Sequence, residues 1–130
     1  MSHSELNHSL LNVDRIASTR SMLKARFPDL VERFFTESQM LMDQLLEALS
    51  ASLPMTAEEA EGVIRLAHSL KSTCRSFGLD EAGRVAEQVE KNLTLGHLDT
   101  VFADSQTLYS IYTDSCKALK KLLRESGVAI

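Results

Sequence analysis

Apolar residues recur every three to four positions along nearly the whole chain, which is the period of amphipathic helices. Turn-forming residues interrupt this pattern at only a few places, and they divide it into five predicted helices. The breaks lie at Pro28, Pro54, Gly78, Gly96 and Gly127.

Polar residues that favour helix N-termini precede the apolar stripes. The first helix is predicted over residues 13–26, the second from Pro28 for about 24 residues, and the third up to Gly78. The predicted N-caps are Asn12, Thr56 in a capping box with Glu59, Asp80, and either Asp99 or Thr100 for the helix that runs to Gly127.

Four amphipathic helices joined by short loops must lie antiparallel to their sequence neighbours. The sequence therefore predicts an all-α fold, namely an antiparallel up-down-up-down four-helix bundle with an additional short N-terminal helix. Residues 1–11 are predicted to be a flexible N-terminal leader, and residues 12–130 to form the bundle domain. The initiating Met, the polar leader and the helix stop at Gly127 favour a stand-alone protein.

Composition narrows the class of protein. The length of 130 residues corresponds to about one domain, and a net charge of -4 argues against a nucleic-acid partner. The two cysteines, Cys74 and Cys116, lie on apolar stripes and are predicted to be buried free thiols of a cytoplasmic protein. No signal-peptide or membrane-spanning pattern is present, so no membrane partner is expected.

The third predicted helix carries a polar stripe beside its apolar one. The apolar stripe is complete with Ala60, Val63, Ala67, Leu70, Cys74 and Phe77. The flanking stripe consists of Ile64, His68, Lys71, Ser72 and Arg75. It predicts a small basic face on an acidic protein. On spacing alone, a solvated helix surface is the commoner explanation of such a face.

This stripe has the chemistry to hold a phosphoryl group. An imidazole with the ordinary pKa of about 6.5 is mostly neutral at pH 7, so that a ring nitrogen of His68 is available as a nucleophile. Lys71 and Arg75, one and two turns away, can pair with phosphoryl oxygens. The sequence has no Gly-rich phosphate loop and no metal-binding motif, so it offers no nucleotide or metal site of its own.

Residues 67–90, AHSLKSTCRSFGLDEAGRVAEQVE, resemble the signature of histidine-containing phosphotransfer (HPt) domains. In that signature a His is followed by an apolar residue at plus two, Lys at plus three, a small residue at plus four, an apolar residue at plus nine and Gly at plus ten. The matching residues are Leu70, Lys71, Ser72, Phe77 and Gly78. Two positions depart from the family: Ser72 replaces the common Gly, and Gly83 replaces a larger apolar residue, which predicts weaker packing at the start of the fourth helix.

The resemblance implies a phosphocarrier of a two-component phosphorelay rather than an enzyme. His68 would accept a phosphoryl group from the aspartate of a receiver domain, or from a kinase, and pass it to the aspartate of a response-regulator receiver. Lys71 would stabilise the phosphoryl group, and Gly78 would have a structural role. Ile64, Ser72 and Arg75 would dock the receiver or contact the phosphoryl group.

The implied partners are response-regulator receiver domains and a sensor histidine kinase. The chain would need no cofactor, because the Mg²⁺ would belong to the receiver domain, and it would be a monomer. For Ile64, contact with the N-terminal helix is an equally good prediction, and for Arg75 simple solvation is nearly as good.

Two other functions stay open at this point. A helical-bundle adaptor or inhibitor would bind a kinase or receiver domain while His68 remained chemically silent. A metal-binding bundle would need inward-facing Glu and ExxH pairs from several helices, and the sequence does not arrange its residues in this way.

Overall fold

The computed structural model describes residues 10–51 and 55–130, and all regular structure in these two ranges is helical. The elements are α1 (Val13–Leu23), a 3-10 turn (Lys24–Arg26), α2 (Phe27–Ala51), α3 (Ala57–Ser76), α4 (Asp80–Leu95) and α5 (Leu98–Glu125). Helix α3 packs between α2 and α4, α4 packs against α5, and α5 closes the bundle against α2. The predicted four-helix bundle with a short additional N-terminal helix is confirmed. The predicted break at Pro54 lies outside the described residues.

Each long helix buries one apolar stripe, and these stripes meet in a single core. The stripe of α4 is the predicted one, with Ala82, Val85, Ala86, Val89 and Leu93 all buried. One polar contact crosses the core, where the hydroxyls of Ser38 on α2 and Tyr112 on α5 form a buried hydrogen bond of 2.6 Å. This bond pairs two hydroxyls that are both buried between α2 and α5.

Capping residues mark three of the helix boundaries, namely the starts of α1 and α3 and the end of α4. The side chain of Asn12 accepts a hydrogen bond from the backbone N–H of Arg15, and Thr56 and Glu59 form the predicted capping box at α3. Gly96 ends α4 in the left-handed conformation, with a φ of 76°. The cap of α1 and the capping box of α3 are thus as predicted.

The predicted caps of α4 and α5 are wrong. Asp80 is the first helical residue of α4 and not its cap, because its carboxylate accepts a hydrogen bond from the Asn12 side chain at 2.9 Å. Helix α5 has His97 as its N-cap residue, and neither Asp99 nor Thr100 caps it. Tertiary contact with another helix has replaced local capping at Asp80.

Helix α1 ends three residues earlier than predicted. Lys24 adopts a φ of 52°, which residues other than glycine rarely adopt. The chain turns there into the 3-10 segment. This turn lets α1 fold back over the end of the bundle instead of continuing into α2.

The N-terminal part of α1 is held on the loop between α3 and α4. The backbone N–H of Asn12 donates to the carbonyl oxygen of Gly78 at 2.7 Å. Gly78 has a φ of 80°, and a Cβ atom there would lie 2.6 Å from Ile16 Cγ1 and 2.9 Å from the Asn12 carbonyl oxygen. Both the turn and the close approach of α1 therefore require glycine at this position.

The described structure begins within the predicted leader. Leu10 and Leu11 are buried in the core, although the sequence places them in the leader, and residues 1–9 lie outside the described part of the chain. Within the described ranges, no helix is long and apolar enough to cross a membrane.

Candidate functional site

The predicted site lies where α3 faces α4. His68 projects from the middle of α3 with 60% of its side chain exposed, and Glu90 of α4 lies beside it with only 19% exposed. The two side chains are 2.7 Å apart, between Nδ1 of His68 and Oε2 of Glu90. An ionised carboxylate only accepts hydrogen bonds, so Nδ1 of His68 is the donor in this contact, and in the neutral imidazole Nε2 then carries the lone pair.

The second oxygen of the same carboxylate binds Lys71. The Lys71 ammonium donates to Oε1 of Glu90 at 2.7 Å, and its side chain is only 15% exposed. Burial raises the pKa of Glu90, but the hydrogen bonds and charges of Lys71 and His68 together outweigh it and hold that pKa below its ordinary value. Glu90 is therefore an ionised acceptor that fixes His68 and Lys71 at the same time.

A second ion pair joins the two helices one turn further along. Nη2 of Arg75 donates to Oε2 of Glu87 at 2.7 Å, and both side chains are partly exposed. The stem of Arg75 lies against Gly83, where a Cβ atom would be 2.7 Å from Arg75 Cγ. The predicted loss of packing at Gly83 is thus wrong, because the Arg75 side chain fills the space that the missing Cβ leaves.

The stripe is not the basic face that the sequence predicts. Lys71 is paired with Glu90, and Arg75 with Glu87, so each of these two cations has a carboxylate partner. Both carboxylates come from α4, whereas the prediction considered the residues of α3 alone. The surface beside His68 is therefore a ladder of two ion pairs between α3 and α4, in which positive and negative side chains alternate.

The remaining two residues of the stripe lie on either side of His68 along α3. Ile64 is half-buried and packs against the core, and Ser72 is exposed one turn after His68. The carbonyl oxygen of Ser72 accepts a hydrogen bond from the Ser76 hydroxyl at 2.8 Å. The docking roles of Ile64 and Ser72 stay predictions.

The two cysteines are not activated thiols, and the described acidic residues do not cluster into a metal site. Cys74 is buried, and burial, with a smaller effect of Cys116, raises the pKa of its thiol to about 12. Cys116 is half-buried rather than fully buried, and burial raises its pKa as well. Among residues 10–51 and 55–130, no group of three or more His, Cys, Asp or Glu side chains is placed to hold a metal ion.

Comparison with known families decides what kind of protein this is. The family model of the Hpt domain matches residues 29–125, from the first turn of α2 to the end of α5. The chain belongs to the Hpt domain family. No curated protein and no solved structure matches it.

Hpt domains act in phosphotransfer within phosphorelay signalling, and they do so as phosphocarriers without a catalytic site of their own. Their partners are the receivers and kinases of two-component systems. In this Hpt protein the matched range includes the whole α3–α4 ladder around His68.

Glu90 and Glu87 are the site residues that the sequence reasoning missed. Glu90 is the last residue of the segment that carries the family resemblance, yet the pattern assigned it no role. Equal distance from the connecting loop would not have found them, because Glu90 and Glu87 lie several residues further from the turn at residues 77–79 than Lys71 and Arg75 do. Only the register of α4 against α3 brings these pairs together.

Proposed function

We propose that His68 is the phosphoacceptor of this Hpt protein. It accepts a phosphoryl group from the aspartyl phosphate of a receiver domain, or from a kinase, and passes it to the aspartate of a response-regulator receiver. The observation that supports this most directly is the exposed imidazole whose Nδ1 is held by a largely buried, ionised Glu90. That arrangement presents Nε2 as the nucleophile without a separate general base.

Each transfer balances in electrons and protons. The Nε2 lone pair of His68 attacks phosphorus, the N–P bond forms, and the P–O bond to the receiver aspartate breaks so that the aspartate leaves as a carboxylate. The imidazole then carries a positive charge with its proton still on Nδ1, and Glu90 stabilises that charge at 2.7 Å. In the onward step a carboxylate oxygen of the second receiver's aspartate attacks phosphorus, the P–O bond forms as the N–P bond breaks, and a neutral imidazole leaves with its proton still on Nδ1.

Lys71 would stabilise the phosphoryl group without leaving Glu90. Its ammonium has three donor positions, and the hydrogen bond to Oε1 of Glu90 uses one of them. Another can be directed at a phosphoryl oxygen one helical turn away on His68. The aspartate and its Mg²⁺ would come from the receiver, and no cofactor would be held by this chain.

The docking surface would surround the exposed imidazole. Ser72 adds little bulk beside His68, which leaves room for a receiver to approach, and the exposed edge of Ile64 offers an apolar contact on the other side. Arg75 is already bound to Glu87 through Nη2 of its guanidinium.

The test is the transfer of label from a receiver domain. The purified chain is mixed with a receiver domain whose aspartate carries a radiolabelled phosphoryl group. The label is expected to move to the chain and to be acid-labile and alkali-stable there, as phosphohistidine would be. A receiver that binds the chain but transfers no label would support the adaptor or inhibitor function and contradict this proposal.

Glu90→Gln is expected to slow transfer by about tenfold, equivalent to about 1.4 kcal/mol. A glutamine amide can donate to Nδ1 of His68, which favours the tautomer with its proton on Nε2 and blocks the nucleophile. Single-turnover transfer rates measure the effect, and ¹⁵N NMR of the imidazole reports the tautomer. An unchanged rate together with an unchanged tautomer would show that Glu90 does not position His68.

The contribution of Glu90 to the stability of the fold is expected to decrease at acidic pH. Its pKa is lower in the folded chain than the unfolded value of about 4.3, so its stabilising effect is present above that value and is lost as pH falls through the folded pKa. At pH 7, Glu90→Gln should lower the free energy of unfolding by about 1–2 kcal/mol. Urea titrations should show this difference shrinking below about pH 4; a constant difference down to acidic pH would contradict it.

A further inference from the structure

The pair formed by Arg75 and Glu87 lies directly beside the residues that would handle the phosphoryl group. Along α3 the order is His68, Lys71, Arg75, and the facing carboxylates of α4 are Glu90 and then Glu87. Lys71 is hydrogen-bonded to Glu90, and the next ion pair along the two helices is the one between Arg75 and Glu87. Glu87 is the carboxylate that Arg75 holds, at 2.7 Å.

The position of Arg75 depends on a gap in α4. Gly83 is buried, and the Cγ, Nε and Cδ atoms of Arg75 all lie within 3.4 Å of the point where a Cβ atom at this position would be. A side chain at position 83 would displace the arginine stem near its root. The absence of one at Gly83 therefore allows Arg75 to lie across α4 and reach Glu87, four residues further along the helix.

Glu87 is within electrostatic reach of the lysine. The hydrogen bond and charge of Arg75 lower the pKa of Glu87 most, but the charge of Lys71 lowers it as well. Without Arg75, the Glu87 carboxylate would be an unpaired anion near Lys71. It would compete with a phosphoryl group for that ammonium and would repel the incoming negative charge.

We propose that Arg75 is a positioning residue that holds the Glu87 carboxylate and thereby keeps Lys71 available for a phosphoryl group on His68. This inference rests on the proposed function of His68. Arg75 acts through Glu87 and does not touch the phosphoryl group.

A double-mutant cycle separates this role from direct contact. Arg75→Gln should slow transfer from a labelled receiver by roughly three- to tenfold at low ionic strength, because it frees Glu87. Glu87→Gln should transfer at least as fast as the native chain, and the double variant should return to the native rate, because no unpaired carboxylate remains. If Arg75 instead contacts the phosphoryl group or the receiver, the double variant stays as slow as Arg75→Gln.

Ionic strength and a conservative variant provide further readouts that a purely structural role would not move. The defect of Arg75→Gln should shrink as salt is raised to about 0.5 M, because the effect of an exposed carboxylate is screened. Arg75→Lys keeps a cation opposite Glu87 and should retain most of the native rate. A defect that is independent of salt would overturn the proposal.

Gly83→Ala tests the same idea with every charge retained. The added methyl group should push Arg75 away from Glu87, slow transfer, and be rescued by Glu87→Gln. Gly62→Ala is the matched control, because a Cβ atom at Gly62 meets nothing within 4 Å, and its transfer rate should equal the native one.

The outcomes distinguish the two proposals. If the native chain takes no label from any receiver, the proposed function is wrong, and this is known before the variants are compared. A native chain that takes label, combined with a fast Arg75→Gln or a slow double variant, overturns only the role of Arg75. Circular dichroism of each variant confirms that the compared proteins are folded.

Discussion

His68→Gln should lose at least about a thousandfold in transfer from a labelled receiver, leaving no acid-labile label on the chain. The amide nitrogen of glutamine has no free lone pair to attack phosphorus. The fold should be preserved, because His68 is 60% exposed and is not part of the buried stripe of α3.

The matched control is His97→Gln, since His97 is also exposed but lies at the turn between α4 and α5. This variant should take label like the native chain. Circular dichroism should show the same helix content for both variants. If His68→Gln is labelled as well as the native chain, the assignment of His68 is wrong, although membership of the Hpt family is unaffected.

Gly78→Ala should lower the free energy of unfolding by about 2–4 kcal/mol. Part of this loss is the strain of a left-handed φ of 80° in a residue with a Cβ atom. The rest comes from overlap with Ile16 and with the carbonyl oxygen of Asn12, which must move if the methyl group is to fit. The contact between α1 and the turn after α3 should therefore be weakened together with the global stability.

Two other glycines separate these contributions. Gly96 and Gly127 also have positive φ angles, 76° and 83°, but a Cβ atom at either would meet nothing within 4 Å. Their alanine variants should lose only the strain energy, about 1–2 kcal/mol each. Urea denaturation measures all three, and hydrogen exchange of the α1 amides should increase most in Gly78→Ala. Equal losses in the three variants would contradict a special role for the contact with α1.

Local signals in the sequence were sufficient to predict the five helices, although not every helix boundary. The capping box at Thr56, the left-handed ends at Gly78 and Gly96, and the apolar stripe of α4 all depend on residues close together in the chain. Short loops between such helices then leave few arrangements other than an antiparallel bundle.

Local signals failed where a residue from another helix intervened. Asp80 has the chemistry of an N-cap, but its carboxylate is bonded to Asn12 of the α1 cap, and the helix begins one residue earlier. Gly83 looked like a packing defect because nothing near it in sequence fills the gap. The side chain that fills it, Arg75, belongs to α3.

By itself, the sequence determined the helices, the all-α bundle and the stripe that contains His68, Lys71 and Arg75, because the periodicity of a helix puts residues three and four apart on one face. Only the tertiary structure decided the state of that stripe. The register of α4 against α3 places Glu90 and Glu87 opposite its cations, so that the face is charge-paired and Nδ1 of His68 is held by Glu90. Ion pairs and hydrogen bonds depend on the distance between atoms in space, and the sequence of one helix does not give the distances to the side chains of its neighbour.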